Sequence, residues 1–444
     1  MFPHWLKFFI AACLLTVASQ ATSTPSFAHF DQRAKAGEHL NVVFFGASLT
    51  WGSNATDPQL TSYRARVSQQ LTTAYPEAHF TFRDAAIGGT GSQLGVFRLD
   101  RDVLRHDPDL VFLDFSANDD IYEDTPETLA SYESLVRRII TEGQAPVVQM
   151  ILPFGWNVQA ADFEKMKRRT AHLGLSKTYH TTVGDAILLA VERVRGGETT
   201  IDKIWPSDQV HPGDDGYQLF ADAAWTAFQD GVKRNVVCAA PEKMRYAETY
   251  LKNSRVRLST LGQLPPGWQS GTPNLTSAYF DMLMSRWLDD EVIASNRVAA
   301  KSAEEQVTLV PQEVGRLKVK FRGTMVMLFG EGTMRSGKYR VSIDGSELAP
   351  GSSIPMEFNS AKISRPSNGN THHVQIIAEN LDASKDHLLE IEPLFSSDKE
   401  QELRLESICV AGGDAFVFPF DERSNTEKPV PPIEVAKPDY SPTN

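Results

Sequence analysis

Four short segments carry side chains whose chemistry could act together. Gly46-Ala47-Ser48-Leu49-Thr50-Trp51-Gly52 sets a serine between glycines at the end of an apolar run. A tight turn there can present the hydroxyl to a cleft as a nucleophile, although Gly-x-Ser turns also serve as helix caps or anion loops. Asp84-Ala85-Ala86-Ile87-Gly88-Gly89-Thr90-Gly91-Ser92 has glycines that let the backbone approach a ligand and aim N–H groups at developing negative charge. Plain turn-making is the alternative; the Lys-Ser/Thr of a phosphate loop is absent and the dinucleotide glycine spacing is not met. Leu113-Asp114-Phe115-Ser116-Ala117-Asn118-Asp119-Asp120 offers the Asn118 amide as an oxyanion donor, or as the closure of an Asx turn or helix cap. Its acidic residues would suit a cation, but no second carboxylate cluster at ligand spacing accompanies them. In Trp205-Pro206-Ser207-Asp208-Gln209-Val210-His211-Pro212, Asp208 stands three residues before His211. A carboxylate so placed can reach the imidazole, fix its tautomer and stabilise the imidazolium formed when it takes a serine proton. Of the 11 histidines, His106, His172 and His180 read as surface or structural residues. His372-His373 reads as a strand edge, with no cysteine or paired carboxylate motif nearby to make a metal site.

The surrounding pattern says what must position these residues. Apolar runs at Leu40–Phe45, His79–Arg83, Leu110–Phe115 and Val147–Leu152 predict strands, most of them apolar enough to be buried on both faces of a parallel sheet. Helices are expected between and after them, at Ser62–Ala74, Gly95–Arg105, Thr128–Thr141 and Ala161–His172, and another begins near Gly213. Such βα alternation implies an α/β, doubly wound parallel sheet whose ligands bind beyond the carboxyl ends of the strands, where the first three segments lie. From Leu317 the texture changes to short alternating runs at Leu317–Phe321, Thr324–Leu328, Tyr339–Ile343, His373–Ile377, His387–Ile391 and Leu403–Val410. Turn signals such as Asp344-Gly345 and Gly412-Gly413 separate them, and together they predict a β-sandwich. The expected organisation is a leader at 1–21, an α/β domain at 38–235, a linker and possible start of a second domain at 236–305, a β-sandwich at 306–420 and a disordered tail at 421–444. Tyr279–Trp287 fits strand or helix equally.

Taken in order, the four segments resemble the SGNH (GDSL-type) hydrolase superfamily, whose Ser, Gly, Asn and His come from four blocks in that sequence. The resemblance covers about Leu40–Val232 and implies a flavodoxin-like sheet. It implies Ser48 as nucleophile, His211 as general base and Asp208 as the third member of the triad. The oxyanion hole would comprise the Ser48 and Gly89 backbone N–H groups and the Asn118 side chain, with Gly88 the adjacent choice for the glycine. Ala47 stands where Asp is common in the first block and Ser116 where Gly is common in the third, and neither change removes a catalytic group. The second region resembles the accessory sandwiches beside some carbohydrate esterases. Together the two resemblances imply a serine esterase acting on short acyl esters of carbohydrates, O-acetyl groups first among them, with no cofactor and no metal. The alternatives are acyl transfer to a glycan hydroxyl, a lipase or thioesterase, and a glycan-binding protein with a vestigial catalytic domain.

Charge and composition narrow the partners. The chain has 444 residues and a formal net charge of −12, which phosphate backbones would repel, and no basic cluster offers a nucleic-acid or anionic-membrane site. Residues 1–21 carry Lys7, an apolar run of about a dozen residues and a small-x-small end at Ser19-Gln20-Ala21, which reads as a signal peptide too short to span a bilayer. Ile10-Ala11-Ala12-Cys13 has the form of a lipoprotein box, but the apolar run continues past Cys13, against lipidation. A secreted or periplasmic protein is expected, with no integral membrane segment after cleavage. Cys238 and Cys409 would then remain, either bridged across the two domains or separately buried as thiols.

Overall fold

The computed structural model describes residues 25–273, 288–301, 307–347, 357–359 and 371–419. The expected leader, Tyr279–Trp287 and the tail from 421 lie outside the described residues. In the first half, strands β1 (His39–Gly46), β2 (His79–Ala86), β3 (Leu110–Leu113), β4 (Val147–Ile151) and β5 (Thr182–Asp185) form a parallel sheet in the order β2-β1-β3-β4-β5. That is the flavodoxin-like order, with its switch point at β1 and β3. Every residue of β3 and β4 is buried, which is why they read as unbroken apolar runs. The helices are α1 (Phe27–Lys35), α2 (Ser48–Trp51), α3 (Tyr63–Ala74), α4 (Ser92–Asp102), α5 (Pro126–Thr141), α6 (Gly155–Gln159), α7 (Lys167–Tyr179), α8 (Ala186–Arg195), α9 (Ile201–Ile204) and α10 (Asp214–Lys233).

The second half contains strands β6 (Asn253–Arg257), β7 (Trp268–Gly271), β8 (Glu291–Ser295), β9 (Arg297–Lys301), β10 (Val307–Pro311), β11 (Leu317–Arg322), β12 (Met325–Gly332), β13 (Lys338–Ile343), β14 (Ser346–Glu347), β15 (Glu357–Asn359), β16 (Thr371–Ala378), β17 (His387–Leu394), β18 (Glu402–Ala411) and β19 (Phe416–Phe418). One six-stranded sheet runs β16-β12-β18-β8-β7 with β6 beside β18; the other runs β14-β13-β17-β11-β19 with β15 beside β13. These two antiparallel sheets make the sandwich, and β9 and β10 form a separate hairpin. Alternation along β11 turns Leu317, Val319 and Phe321 into the sandwich core, while Lys318 and Lys320 pair with Glu390 and Asp386.

Strand β12 is buried along its whole length because it has two cores to fill. Val326 and Leu328 pack inside the sandwich, whereas Met325, Met327 and Phe329 join the hydrophobic cluster of the α/β half. Side chains of this size contribute roughly 1.5 to 3 kcal/mol each on full burial, so the joint between the halves is a continuation of the core. Polar contacts supplement it: Gln93 on α4 donates to Glu379 at 3.0 Å, and Arg101 lies 3.6 Å from Asp289. Within the sandwich, Arg404 lies 3.0 Å from Glu291 and 2.7 Å from Glu331, whose side chains are fully buried.

Several expectations need correction. Strand β5 has no counterpart among the predicted strands, being four residues long and interrupted by Gly184. The helix expected at Ala161–His172 begins at Lys167 and runs on to Tyr179. Strands β6, β7 and β8, from the stretch 236–305 expected as a linker and possible start of a second domain, are members of a sandwich sheet. Cys238 and Cys409 form no bridge; both are free and buried. Each has its own surroundings: the Cys238 backbone donates to Pro25 O at 2.8 Å near the start of the described chain, while Cys409 pairs with Met327 and Arg255 on the neighbouring strands. Burial pushes both thiols up to about 12, which keeps them protonated.

Candidate active site

Strand β1 delivers its last residue, Gly46, against the underside of the next turn. A Cβ there would stand 2.7 Å from Asp114 O, so only glycine lets the chain fold back this closely. Ala47 is extended, and Ser48 opens the one-turn helix α2. The first amides of a helix have no intrahelical acceptor, leaving the Ser48 N–H available at the turn. Ser48 is only 5% exposed, and its Oγ lies 3.1 Å from His211 Nε2.

The histidine comes from the loop before α10, 163 positions later. Asp208 closes an Asx turn there: its Oδ1 accepts from the backbone N–H groups of Val210 at 2.7 Å and His211 at 2.6 Å. Its Oδ2 lies 3.6 Å from His211 Nδ1, close enough for charge stabilisation though longer than an ordinary hydrogen bond. Asn54, whose φ is +67°, donates to that same Oδ2 at 2.9 Å. Burial lowers the proton affinity of His211, with Asp208 opposing. Burial would raise Asp208, but the His211 and Val210 amides and the Asn54 side chain bring it below the usual carboxylate range.

Further bonds pin the loop after Ser48 to α10. Tyr217 Oη donates to Ser53 O at 2.6 Å, and Thr56 N donates to Asp214 Oδ1 at 2.9 Å. These tertiary contacts hold the serine and histidine segments at one rim.

The second and third segments follow β2 and β3, the strands on either side of β1. Gly89 is exposed at the end of the β2 loop with φ +71°, a left-handed conformation that favours glycine, whereas Gly88 is buried. Asp119 holds this loop by accepting from Ser92 N at 3.0 Å. Asn118 is half-buried, and among the described residues no hydrogen bond engages its side-chain amide. Beneath the rim, burial pushes the Asp114 carboxyl up to about 7 and, against the Arg168 charge, Asp119 up to about 6. Asp114 Oδ1 accepts from Ser116 N at 3.1 Å and Oγ at 3.0 Å, so Ser116, where glycine is common, has a structural use. Among the described residues no group of three or more His, Cys, Asp or Glu side chains is placed to hold a metal ion. His172, expected to be structural or on the surface, lies in the core, stacked on Tyr132 with ring centroids 3.8 Å apart.

Three residues near the site carry no signal in the sequence. Asn54 behind Asp208 is one. Arg98, fully buried on α4, is the second: it donates to Gly46 O at 2.8 Å and Ala85 O at 2.7 Å. His372 is the third. It does stand on an edge strand, β16, but its imidazole Cε1 would lie 3.5 Å from a Cβ on Gly89. Short-range pattern marks none of them, since their partners are remote in sequence. Trp156, on α6, is 42% exposed beside the histidine loop, with Gly155 N donating to Gln209 O at 2.7 Å.

Residues 44–219 match the GDSL-like Lipase/Acylhydrolase family. No curated protein matches the chain in sequence. Among solved structures, a two-domain esterase (CEX) active on acetylated mannans, co-crystallised with mannopentaose, is 23% identical with a TM-score of 0.63; the match covers 87% of this chain and 94% of that one. A second structure of a two-domain esterase (CEX) active on acetylated mannans is 22% identical with a TM-score of 0.64 over the same shares. These likenesses extend the shared fold across both halves of the chain. Residues 44–219 are therefore a GDSL-like lipase/acylhydrolase domain of the SGNH type, and the protein is a serine-type carboxylic ester hydrolase.

Proposed function

We propose that the protein is an exported esterase that removes short acyl groups, principally O-acetyl, from carbohydrates through an acyl-serine intermediate. The observation that carries the reading is the 3.1 Å approach of His211 Nε2 to Ser48 Oγ with Asp208 behind the imidazole. Neutral His211 takes the hydroxyl proton as Oγ attacks the ester carbonyl. The tetrahedral oxyanion is received by the N–H groups of Ser48 and Gly89 and by the Asn118 amide. One such donor is typically worth about 3 to 4 kcal/mol of transition-state stabilisation. The C–O bond to the sugar breaks, His211 returns its proton to the leaving oxygen, and the acyl group stays on Ser48. Water then attacks with His211 again as base, releasing the carboxylic acid and restoring the serine.

The carbohydrate substrate is supported by the two-domain likeness to an esterase whose own substrate is acetylated mannan. Export rests on the composition of residues 1–21. The test is to incubate the protein with a phosphonylating reagent, map the adduct by mass spectrometry, and assay an acetylated oligosaccharide with and without a glycan acceptor. An adduct on Ser48, loss of turnover in Ser48→Ala and free acetate as the product support the reading. An adduct elsewhere, or unchanged turnover in Ser48→Ala, overturns the mechanism, and transfer of the acyl group to the acceptor overturns the hydrolytic assignment.

A further inference from the structure

We infer that Arg98 and His372 form one positioning unit around the oxyanion loop, so that the second domain helps set the reaction geometry in addition to any role in holding glycan. The inference rests on the reading of Ser48 as nucleophile and Gly89 as oxyanion donor.

Arg98 is the inner half of the unit. Its guanidinium bonds the carbonyl two residues before Ser48 and the carbonyl four residues before Gly89. One rigid fork therefore ties the end of β1 to the end of the edge strand β2, where the two catalytic segments diverge. Lysine could not reproduce this, because an ammonium is a point donor and the guanidinium is a planar one with fixed directions. The arrangement is costly. Arg98 is entirely buried, stacked 4.4 Å from the Phe45 ring centroid, and Asp102 at 3.1 Å is its ion-pair partner. Burying a charge here for stability alone is a poor use of the space, since well-packed apolar residues commonly do as well or better.

His372 is the outer half and belongs to the second domain. Its ring atoms Cε1 and Nε2 come within 3.5 Å and 3.7 Å of where a Gly89 side chain would begin. The ring therefore backs the left-handed glycine whose N–H is to meet the oxyanion. Burial, reinforced by the Arg98 charge, brings the imidazole down to about 4, so His372 is neutral at working pH. A neutral ring can sit beside the buried guanidinium without repelling it. Helix α4, which follows the oxyanion loop, is tied to the same domain through Gln93 to Glu379, just after β16, and Arg101 to Asp289, just before β8.

The test uses full-length Arg98→Lys and His372→Ala with a small aryl acetate, so that glycan affinity plays no part. The expected result is a fall in kcat of about 100-fold for Arg98→Lys and about 10-fold for His372→Ala, with KM within about threefold of the parent. His372→Gln, which keeps much of the bulk, should recover part of the loss. Thermal midpoints and circular dichroism identify any variant that fails to fold, and His372→Ala then decides. Wild-type kcat in both variants, or an effect confined to KM for glycan, overturns the inference while leaving the mechanism intact. Continued turnover in Ser48→Ala overturns the mechanism itself.

Discussion

Asn54 and Asp208, 154 positions apart, meet through a 2.9 Å hydrogen bond from the amide to carboxylate Oδ2, the oxygen that faces His211. Asn54 also reaches His211 O at 3.4 Å. Asp208 is thus oriented from the loop that follows Ser48, and that loop is held by Asp208. Asn54→Ala should lower kcat by about 10-fold, the equivalent of one hydrogen bond to a charged group, with little change in KM. Steady-state kinetics on a short ester checks this, and an unchanged kcat would show that Asp208 is fixed by its Asx turn alone.

The pH profile is set by the state His211 must be in. It accepts a proton only when neutral, and burial lowers its pKa below the ordinary histidine value of 6.5, with Asp208 pulling the other way. Activity should therefore rise with pH through a single inflection below 6.5 and be level through neutrality. Replacing Asp208 by Asn removes the opposing charge and should move the inflection lower still while cutting kcat by at least about 100-fold. A kcat/KM profile measured from pH 4 to 8 reads both effects; an inflection above 7 would contradict the burial argument.

Trp156 is a large aromatic surface left open beside the histidine loop. Apolar faces of sugar rings stack on such side chains, and one aromatic contact is worth roughly 0.5 to 1.5 kcal/mol beyond its buried area. Trp156→Ala should raise KM for an acetylated oligosaccharide by about 5- to 10-fold and leave kinetics on a small aryl acetate nearly unchanged. Equal effects on both substrates would place the ring in the acyl pocket instead.

How far the site is legible in the sequence depends on the range of the interactions. Ser48, Gly89 and Asn118 follow strands whose apolar runs announce themselves, and Asp208 and His211 share one turn. The α/β order and most sandwich strands are readable for the same reason. Strand β5 is hidden because four residues with a central glycine give no period. Strands β6 and β8 are hidden because their partner β18 is more than a hundred positions downstream, and β7 enters the sheet only through β8. Arg98 looks like any arginine in an amphipathic helix, and His372 like an edge residue, until the packing of the domains gives each its neighbours. Nothing local marks a residue whose purpose is set by a remote backbone carbonyl.

The pair of glutamates flanking Arg404 has a consequence for the alkaline limit of the fold. Burial and the charge of Glu331 push Glu291 up to about 8, so at neutral pH it retains a proton that the unfolded chain would already have released. The folded state then binds more protons than the unfolded one, and stability declines as pH climbs from the ordinary carboxylate range through about 8. Base should therefore loosen the sandwich before it disturbs the catalytic rim. Glu291→Gln, which carries no ionisable proton, should keep its melting temperature above that of the parent by a margin that widens between pH 6 and 9, as calorimetry over that range would record. In such an architecture a buried carboxyl pair far from Ser48 in sequence sets how basic a medium the folded chain tolerates.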